Sequence, residues 1–217
     1  MRNAARRAEG VPGGKREVIL TAALERFGHY GFRRTSMEDI AQQAGISRAA
    51  VYLHFRNKEE VFRALARDLH ERAVAAAESA SRRATPASER IERTLAAKLG
   101  AFFEIVHGTA HASELIDENS RLCGDISAEF RERHLKLLRA LIEVAAKEGE
   151  LAPARAGLTA AAAAELLLDS AKGLEMSAGE TTTPAAYQRR LSQLVRVVVL
   201  GLGGETTAPA AARKRKR

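Results

Sequence analysis

The sequence predicts an all-α protein of about nine helices, and two observations carry that prediction. Alanine is abundant while only 5 of the 217 residues are proline, which favours helices over strands. Apolar residues recur at three- and four-residue steps, and no segment sustains the two-residue alternation of a half-buried strand. Aromatic residues make up 5% of the chain and Trp is absent, so the core must consist mainly of Leu, Ile, Val and Ala.

A first helix is predicted over residues 15–30. The apolar positions that share one of its faces are Ile19, Ala23, Phe27 and Tyr30. Gly31 is expected to end the helix in a left-handed cap, after which Phe32 folds back onto the last turn.

Two short helices joined by a tight turn should follow. The first is predicted over 37–44, with Ser36 as its N-cap and Asp39 completing a weaker form of the capping box. The turn 45–47 begins with glycine, which permits a sharp bend, and ends with a serine that caps a helix over 48–55. Within that helix, Val51 and Phe55 are expected to face inward because they lie four residues apart. This arrangement predicts a helix-turn-helix corner.

A long fourth helix should begin after Asn57 and continue to about Arg83. The remaining helices, with N-caps at Thr85-Pro86 and Ser127 among them, are predicted over 85–107, 111–121, 127–149, 159–178 and 184–202. The predicted organisation is a flexible basic arm (1–14), a helix-turn-helix domain (15–70), a second helical domain (71–204) and a basic tail (205–217).

The net charge of +8 is concentrated at the two ends of the chain. Residues 1–16 carry five cations against one acid, residues 205–217 carry the same, and the region between them is neutral. Basic tails attract polyanions without reading sequence, although these tails are equally consistent with solvated ends. We expect the N-terminal arm, rather than the C-terminal tail, to add to the affinity for a polyanion.

Several function classes lack support in the sequence. A single cysteine, Cys123, forms no intrachain disulfide, which fits a reducing compartment, and no secretory signal is apparent. No apolar run reaches the roughly 18 residues of a membrane span. We expect a cytoplasmic protein without membrane contact. There is no phosphate loop, nucleophile elbow or usual metal signature, so the sequence predicts neither an enzyme nor a cofactor. A redox role for Cys123 is a weaker alternative, because Arg121 is the one nearby cation.

The second helix of the corner has the chemistry of a DNA-reading element. From Ser47 to Lys58 there are three Lys or Arg residues and no acid. Arg48 is able to bond guanine edges, and Tyr52 suits contact with phosphate, sugar or base. Small residues between them would let the helix lie deep in a groove. The alternative is a helical corner with a solvated basic face.

The stretch over residues 19–62, ILTAALERFGHYGFRRTSMEDIAQQAGISRAAVYLHFRNKEEVF, resembles the DNA-binding domain of the TetR family. It contains that family's GF, TS, DIA, AG-x-S, Y-x-HF and NKE elements in order. The resemblance covers this stretch by sequence and the rest of the chain by helix order only. It implies a homodimeric regulator of transcription, most often a repressor, that a small-molecule effector releases from double-stranded operator DNA.

By that resemblance, the helix over 48–54 enters the major groove. The residues implied at or near base edges are Arg48, Ala49, Ala50 and Tyr52. The residues implied on the phosphate side are Thr35, Ser36, Tyr52, His54 and Lys58. Lys58 also lies at a helix start, where free amides and the macrodipole favour an anion.

The same resemblance implies an effector pocket among the helices spanning 86–149 and 159–178. The apolar candidates, most of which are expected to be ordinary core, are Leu99, Phe102, Phe103, Val106, Leu115, Phe130, Leu137 and Leu138. The polar candidates are His107, His111, Glu114, Asp169 and Lys172. A metal site on His107, His111 and Glu114 is an alternative to hydrogen bonding, but Gly108 interrupts their common helical face.

The last two predicted helices are expected to form the dimer surface as a four-helix bundle. The small-residue stripe on the first of them is Ala160, Ala163, Leu167, Ala171, Leu174 and Ala178. The final helix is apolar almost all round, with Leu191, Leu194, Val195, Val197, Val198, Val199 and Leu200. A helix of that kind must be buried. Burial in the core of a single chain is the alternative to burial in a dimer.

Overall fold

The computed structural model describes residues 14–107, 109–177 and 183–205, with only the backbone described over 99–107. The helices in these residues are α1 Lys15–Tyr30, α2 Met37–Ala44, α3 Arg48–Tyr52, α4 Lys58–Ser81, α5 Ala87–His107, α6 Ala112–Leu122, α7 Gly124–Lys147, α8 Ala160–Met176 and α9 Pro184–Gly201, with a short 3-10 helix at Pro153–Ala156. No strand occurs in the described ranges, and the all-α prediction is confirmed. None of the helices described is both long and apolar enough to cross a membrane.

The third helix is shorter than predicted. It ends at Tyr52 instead of Phe55, because the amides of His54 and Phe55 both turn back to the carbonyl of Val51 at 3.0 Å. Phe55 is still buried, as the predicted helical spacing required. The prediction of its burial was therefore right, although the backbone that achieves it is a turn.

The N-terminal caps of α5 and α7 also differ from the predicted ones. α7 begins at Gly124, so Ser127 lies inside its first turn and is not its cap. The buried Thr85 hydroxyl has no hydrogen-bond partner within the described residues, and α5 begins at Ala87. The carboxylate of Glu150 accepts the Ala87 amide at 2.6 Å instead. A cap from a distant segment leaves no local trace in the sequence.

The chain divides into two compact units, and the first comprises Met1–Glu71 and Phe102–Glu129. Three aromatic rings form the centre of its core. Phe27 lies 5.4 Å from Phe32 and 5.6 Å from Phe62, and Phe32 and Phe62 are 5.2 Å apart in an edge-to-face arrangement. Such tilted pairs add about 0.5–1.5 kcal/mol each to the stability that area burial provides. The predicted fold of Phe32 onto the last turn of α1 is confirmed.

The second unit comprises Arg72–Ala101 and Phe130–Arg217. Several of its large side chains are at most 1% exposed, and they include Phe130, Ile91, Leu95, Leu138, Ile142, Leu167 and Leu191. Because most of them are aliphatic, the core has the composition that the sequence predicted.

The predicted small-residue stripe of α8 lies partly in the core of the single chain. Ala163, Leu167 and Ala171 are fully buried there, where α8 packs on α9. Ala160 and Leu174 are half-buried, and Ala178 lies outside the described residues. On α9 the buried positions are Tyr187, Leu191, Val195 and Val199, at four-residue steps. The alternative of burial within the monomer therefore holds for these positions. The exposed apolar residues are Leu166 and Met176 on α8 and Val197 and Leu200 on α9.

Candidate nucleic-acid interface

Local capping builds the corner between α2 and α3. The Ser36 hydroxyl accepts the Asp39 amide at 3.1 Å, and the Asp39 carboxylate accepts the Ser36 amide at 2.8 Å. Gly45 ends α2 at φ 67° and ψ 28°, a left-handed conformation that suits glycine. Ser47 caps α3 by accepting the Ala50 amide at 3.2 Å. The predicted capping box and turn are confirmed.

Asp39 also joins α2 to α1. The Arg26 guanidinium donates to its carboxylate at 2.9 Å. Hydrogen bonds from Ser36, and to a smaller extent the contact with Arg26, hold the pKa of Asp39 below its usual value. The carboxylate therefore stays ionised at neutral pH, which keeps the cap and the link to α1 intact.

Arg48 and Tyr52 form the exposed face of α3. They lie one helical turn apart, with the guanidinium 5.4 Å from the ring centroid and Nη2 3.4 Å from the phenolic oxygen. Glu38 approaches the Arg48 Nε at 3.8 Å, and both side chains are exposed. An exposed contact of that length is weak. The guanidinium is therefore free to exchange Glu38 for a stronger acceptor such as a guanine edge.

The rest of the α3 surface is small or apolar. Ala49 is exposed and Ala50 is half-buried, so this part of the helix carries little bulk. Leu53, which directly follows the helix, is 85% exposed. Sequence reasoning missed Leu53, because helical spacing identified only the inward positions of the corner. An exposed leucine beside Tyr52 suits contact with a thymine methyl group.

Two predicted phosphate-side residues are used inside the domain. Thr35 is buried, and its hydroxyl donates to the Gly31 carbonyl at 2.7 Å. The Lys58 amine donates to the carbonyls of Phe32 at 2.7 Å and Arg33 at 3.3 Å, and it lies 4.4 Å from the Phe32 ring centroid. Both side chains thus hold the turn between α1 and α2. Lys58 keeps one ammonium proton for a further acceptor.

The remaining predicted residues and several additional cations are exposed around the corner. Ser36 and His54 are exposed, as a phosphate contact requires. Arg33 and Arg34 are exposed in the turn between α1 and α2, and the Arg16 guanidinium lies 5.6 Å from the Phe55 ring centroid. Sequence reasoning did not assign these three arginines, although the double arginine in the turn was visible. Exposed cations thus lie in the turn between α1 and α2 and at the start of α1, and a polyanion could bind to them.

The comparison with protein families agrees with this geometry. Residues 19–65 match the model of the bacterial regulatory proteins of the tetR family. This segment is of the TetR-family type. The matched TetR-family segment contains α2, α3 and α1 apart from its first residues. It includes the capping residues, the turn and the exposed face of α3, whereas Arg16 lies just before it.

Sequence identity to known relatives is highest over the family segment. The HTH-type transcriptional regulator TtgR of Pseudomonas putida is 46% identical over 56 residues, which are 26% of this chain and 27% of that protein. The chain thus spans about a quarter of that relative's length. The HTH-type transcriptional activator FasR of Mycolicibacterium smegmatis is 26% identical over 159 residues, 73% of this chain and 71% of that protein.

Solved structures extend the likeness beyond the family segment. SmeT, the repressor of the Stenotrophomonas maltophilia multidrug efflux pump SmeDEF, is similar with a TM-score of 0.64 at 24% identity, over 85% of this chain and 88% of that chain. A complex of SmeT with triclosan is similar with a TM-score of 0.56 at 25% identity, over 87% and 88% of the two chains. This likeness shows a shared fold.

The predicted polar pocket residues lie in two different places. In the first unit, Glu114 accepts the Arg33 amide at 2.7 Å, and its other carboxylate oxygen lies 3.6 Å from Nδ1 of His111. The structure brings these two residues together against the turn between α1 and α2. In the second unit, Asp169 is exposed and pairs with Arg131 at 2.7 Å. Glu114 and Asp169 therefore both have protein partners.

The other pocket candidates are mostly core or fall where only the backbone is described. Phe130, Leu115 and Leu138 are buried, and Leu137 is half-buried. The side chains of Leu99, Phe102, Phe103, Val106 and His107 lie outside the described residues. In the parts of the chain that the structure describes, no three His, Cys, Asp or Glu side chains form a group that could hold a metal ion.

A cavity of about 450 Å³ lies within the second unit, and none of the predicted pocket residues is among the residues described in its walls. Its walls are the start of α5, the segment directly after α7, and the end of α9 with the residues that follow it. They include Ala87, Ser88, Glu150, Leu151 and Val199. Glu150 in this wall bonds both the Ala87 amide and, at 2.6 Å, the Arg90 guanidinium. The cavity is therefore lined in part by groups that hold the start of α5 in place.

Cys123 is unsuited to redox sensing. Its side chain is fully buried, and burial raises the pKa of the thiol to about 11. At pH 8 we expect the native thiol to react with 5,5′-dithiobis-(2-nitrobenzoic acid) at least about a hundredfold more slowly than the unfolded thiol, because far less thiolate is present. Stopped-flow absorbance with and without denaturant measures both rates. Similar rates in the two states would contradict this assignment.

Proposed function

We propose that the protein is a homodimeric transcriptional repressor that binds double-stranded operator DNA through α3 and is released by a small-molecule effector. The observation that carries the proposal is the exposed Arg48–Tyr52 pair on a capped helix-turn-helix corner within the TetR-family segment. In this role, α3 enters the major groove, and the corner is held in register by phosphate contacts.

The proposed base readers are Arg48, Tyr52, Ala49, Ala50 and Leu53. The guanidinium of Arg48 supplies the fork geometry that guanine O6 and N7 accept, and the two alanines let the helix approach the groove floor. The proposed phosphate contacts are Ser36, His54, Arg33, Arg34 and Lys58. The Lys58 amine acts in part by holding the turn that carries Arg33 and Arg34.

The exposed apolar residues of α8 and α9 support dimerisation. Val197 is 68% exposed and Leu200 is 53% exposed, and they lie three residues apart on one face of α9. A two-fold dimer through this face would present two corners to successive major grooves, about 34 Å apart. This replaces the small-residue stripe of α8 as the proposed interface.

An effector response requires a path from the second unit to the corner, and the first unit contains a suitable connection. Arg63 of α4 donates to both carboxylate oxygens of Asp125 at 2.8 and 2.7 Å and to the Leu122 carbonyl. Glu114 of α6 bonds the amide of Arg33 in the turn between α1 and α2. A shift of α6 or of the start of α7 would therefore move groups next to the corner. We propose that the effector favours such a shifted state.

A transcriptional activator is the second candidate, because the relative aligned over 73% of this chain is described as an activator. Selection of bound sequences from a random duplex library, followed by in vitro transcription from a promoter that carries the selected site, tests both. A two-fold site whose occupancy lowers transcription supports repression. Higher transcription supports activation, and failure to enrich any sequence at moderate salt contradicts both.

Replacing Arg48 tests the proposed base reader. We expect Arg48→Ala to weaken operator binding on the order of 1–3 kcal/mol for each lost base contact and to relax sequence preference at that position. Fluorescence anisotropy on the selected site and on single-base variants measures both effects. Arg82→Ala, which removes an exposed arginine outside the corner, is the matched control and should bind as the native protein does.

The same assay separates Arg48 from Lys58. Lys58→Ala should weaken binding to all duplexes to a similar degree and flatten the dependence on salt concentration. Unchanged sequence preference in Arg48→Ala would refute the assignment of this residue to base reading.

A further inference from the structure

The second unit contains a cation without a counter-charge of its own. Lys98 lies on α5 and is half-buried, and no other described residue forms a hydrogen bond or ion pair with its amine. Burial is the main cause that lowers the pKa of this amine, since the charged form loses solvation. Charged groups in such positions are normally paired, because an unpaired one loses solvation without compensation.

The charged groups around Lys98 come from α7 and α8. The carboxylates that attract it are Glu175 and Asp169, and the cations that repel it are Lys172 and Arg131. Both carboxylates already have partners: Lys172 lies 3.0 Å from Glu175, and Arg131 lies 2.7 Å from Asp169. Glu132 also lies 3.8 Å from Arg131. Each of the two carboxylates that attract Lys98 is thus already paired with another cation, and neither forms an ion pair with Lys98.

A second donor lies one turn before Lys98 on the same face of α5. Thr94 is fully buried, and its hydroxyl has no hydrogen-bond partner within the described residues. Residues four apart on a helix are neighbours on one face. An ammonium group and a hydroxyl, both without partners, are together the donor set that a carboxylate or sulfonate accepts from.

We propose that the second unit binds an organic anion, whose acidic group pairs with the Lys98 amine and accepts a hydrogen bond from Thr94. The inference deepens the proposed function, since it gives the chemical class of the effector. The anion neutralises the charge of Lys98 and satisfies the Thr94 hydroxyl, while the Arg131–Asp169 and Lys172–Glu175 pairs stay in place.

Two fluorescent probes that differ only by an acidic group test the proposal on the full chain. One is 8-anilinonaphthalene-1-sulfonate, and the other is the neutral N-phenyl-1-naphthylamine. We expect the native protein to bind the sulfonate more tightly. Lys98→Met should weaken sulfonate binding on the order of tenfold and leave the affinity for the neutral probe unchanged. Lys98→Arg, which keeps the positive charge, should retain the preference for the sulfonate.

Lys136→Met is the matched control, because Lys136 is an exposed lysine of the same unit and its replacement removes the same charge. It should bind both probes as the native protein does. Thr94→Val, which keeps the shape of the side chain, should lower sulfonate affinity alone. The thermal midpoint of Lys98→Met without ligand should be at least that of the native protein, since a partly desolvated charge is removed.

Three results would overturn the proposal: equal affinity of the native protein for the two probes, equal loss of both probes in Lys98→Met, or the same loss in Lys136→Met. If Lys98→Met fails to fold, two other results decide the matter. The proposal is overturned if Thr94→Val binds the sulfonate as tightly as the native protein does and the native protein shows no preference between the two probes. Duplex binding measured on the same preparations is independent of these outcomes. Its absence contradicts the proposed function, and its presence without an anion preference contradicts this inference alone.

Discussion

The Val197→Glu, Leu200→Glu double variant is expected to be monomeric at micromolar concentration and to bind an operator duplex roughly a hundredfold more weakly than the native protein. Both side chains are apolar and exposed on one face of α9, while the opposite face packs in the core of the same chain. Two like charges on each copy would meet across a two-fold interface and repel. Without dimerisation, the second corner no longer binds at a high effective concentration, and the affinity gained from two half-sites is lost.

Sedimentation velocity and anisotropy on a two-fold site measure the two effects separately. Val144→Glu is the matched control, since Val144 is an exposed valine on α7 of the same unit and its replacement adds the same charge. That variant should stay dimeric and bind DNA normally. A native protein that sediments as a monomer, or a double variant that remains a dimer, would show that the interface lies elsewhere.

The Gly31→Ala variant is expected to lose about 2–4 kcal/mol of unfolding free energy, because two costs combine. Gly31 has φ 81° and ψ 163°, a region that is essentially restricted to glycine, and not the left-handed helical cap that the sequence predicted. A Cβ at this position would also collide with the Glu114 carboxylate, which accepts the Arg33 amide. Urea unfolding followed by circular dichroism measures the change.

Gly28→Ala is the corresponding control three residues earlier. Gly28 lies within α1, and a Cβ there would meet the nearest Thr109 carbon at 3.8 Å, an ordinary contact. Alanine is the better helix former, so this variant should gain up to about 1 kcal/mol. If the two alanine variants changed stability by the same amount, the strain and the Glu114 contact at Gly31 would have no measurable energetic role.

The helix-turn-helix corner could be predicted from the sequence because the interactions that form it are local. Ser36 and Asp39 form the capping box three residues apart, Gly45 supplies the left-handed turn, and Ser47 caps α3 through an amide three residues away. Each of these interactions closes within one helical turn. The inward positions followed from helical spacing alone, as the buried Val51 and Phe55 show.

The sequence did not predict the hydrogen-bond partners of polar side chains when the two residues are far apart along the chain. Lys58 donates to carbonyls 26 and 25 residues away, and Glu150 caps α5 from 63 residues away. Local periodicity carries no information about such partners. For the same reason, the sequence assigned Thr35 and Lys58 to phosphate contact without indicating that both hold the turn between α1 and α2.

By itself, the sequence determined the all-α class, the order of the helices and the residues of the helix-turn-helix corner, because spacing and capping act within a few residues. Only the tertiary structure decided which faces of α8 and α9 are turned inward. In α8 and α9 apolar residues occur on more than one face, so the pattern did not distinguish Ala163 and Leu191, which are buried in one chain, from Val197 and Leu200, which are exposed. That choice depends on how one helix packs against another, since burial is a property of the assembled core and not of the single helix.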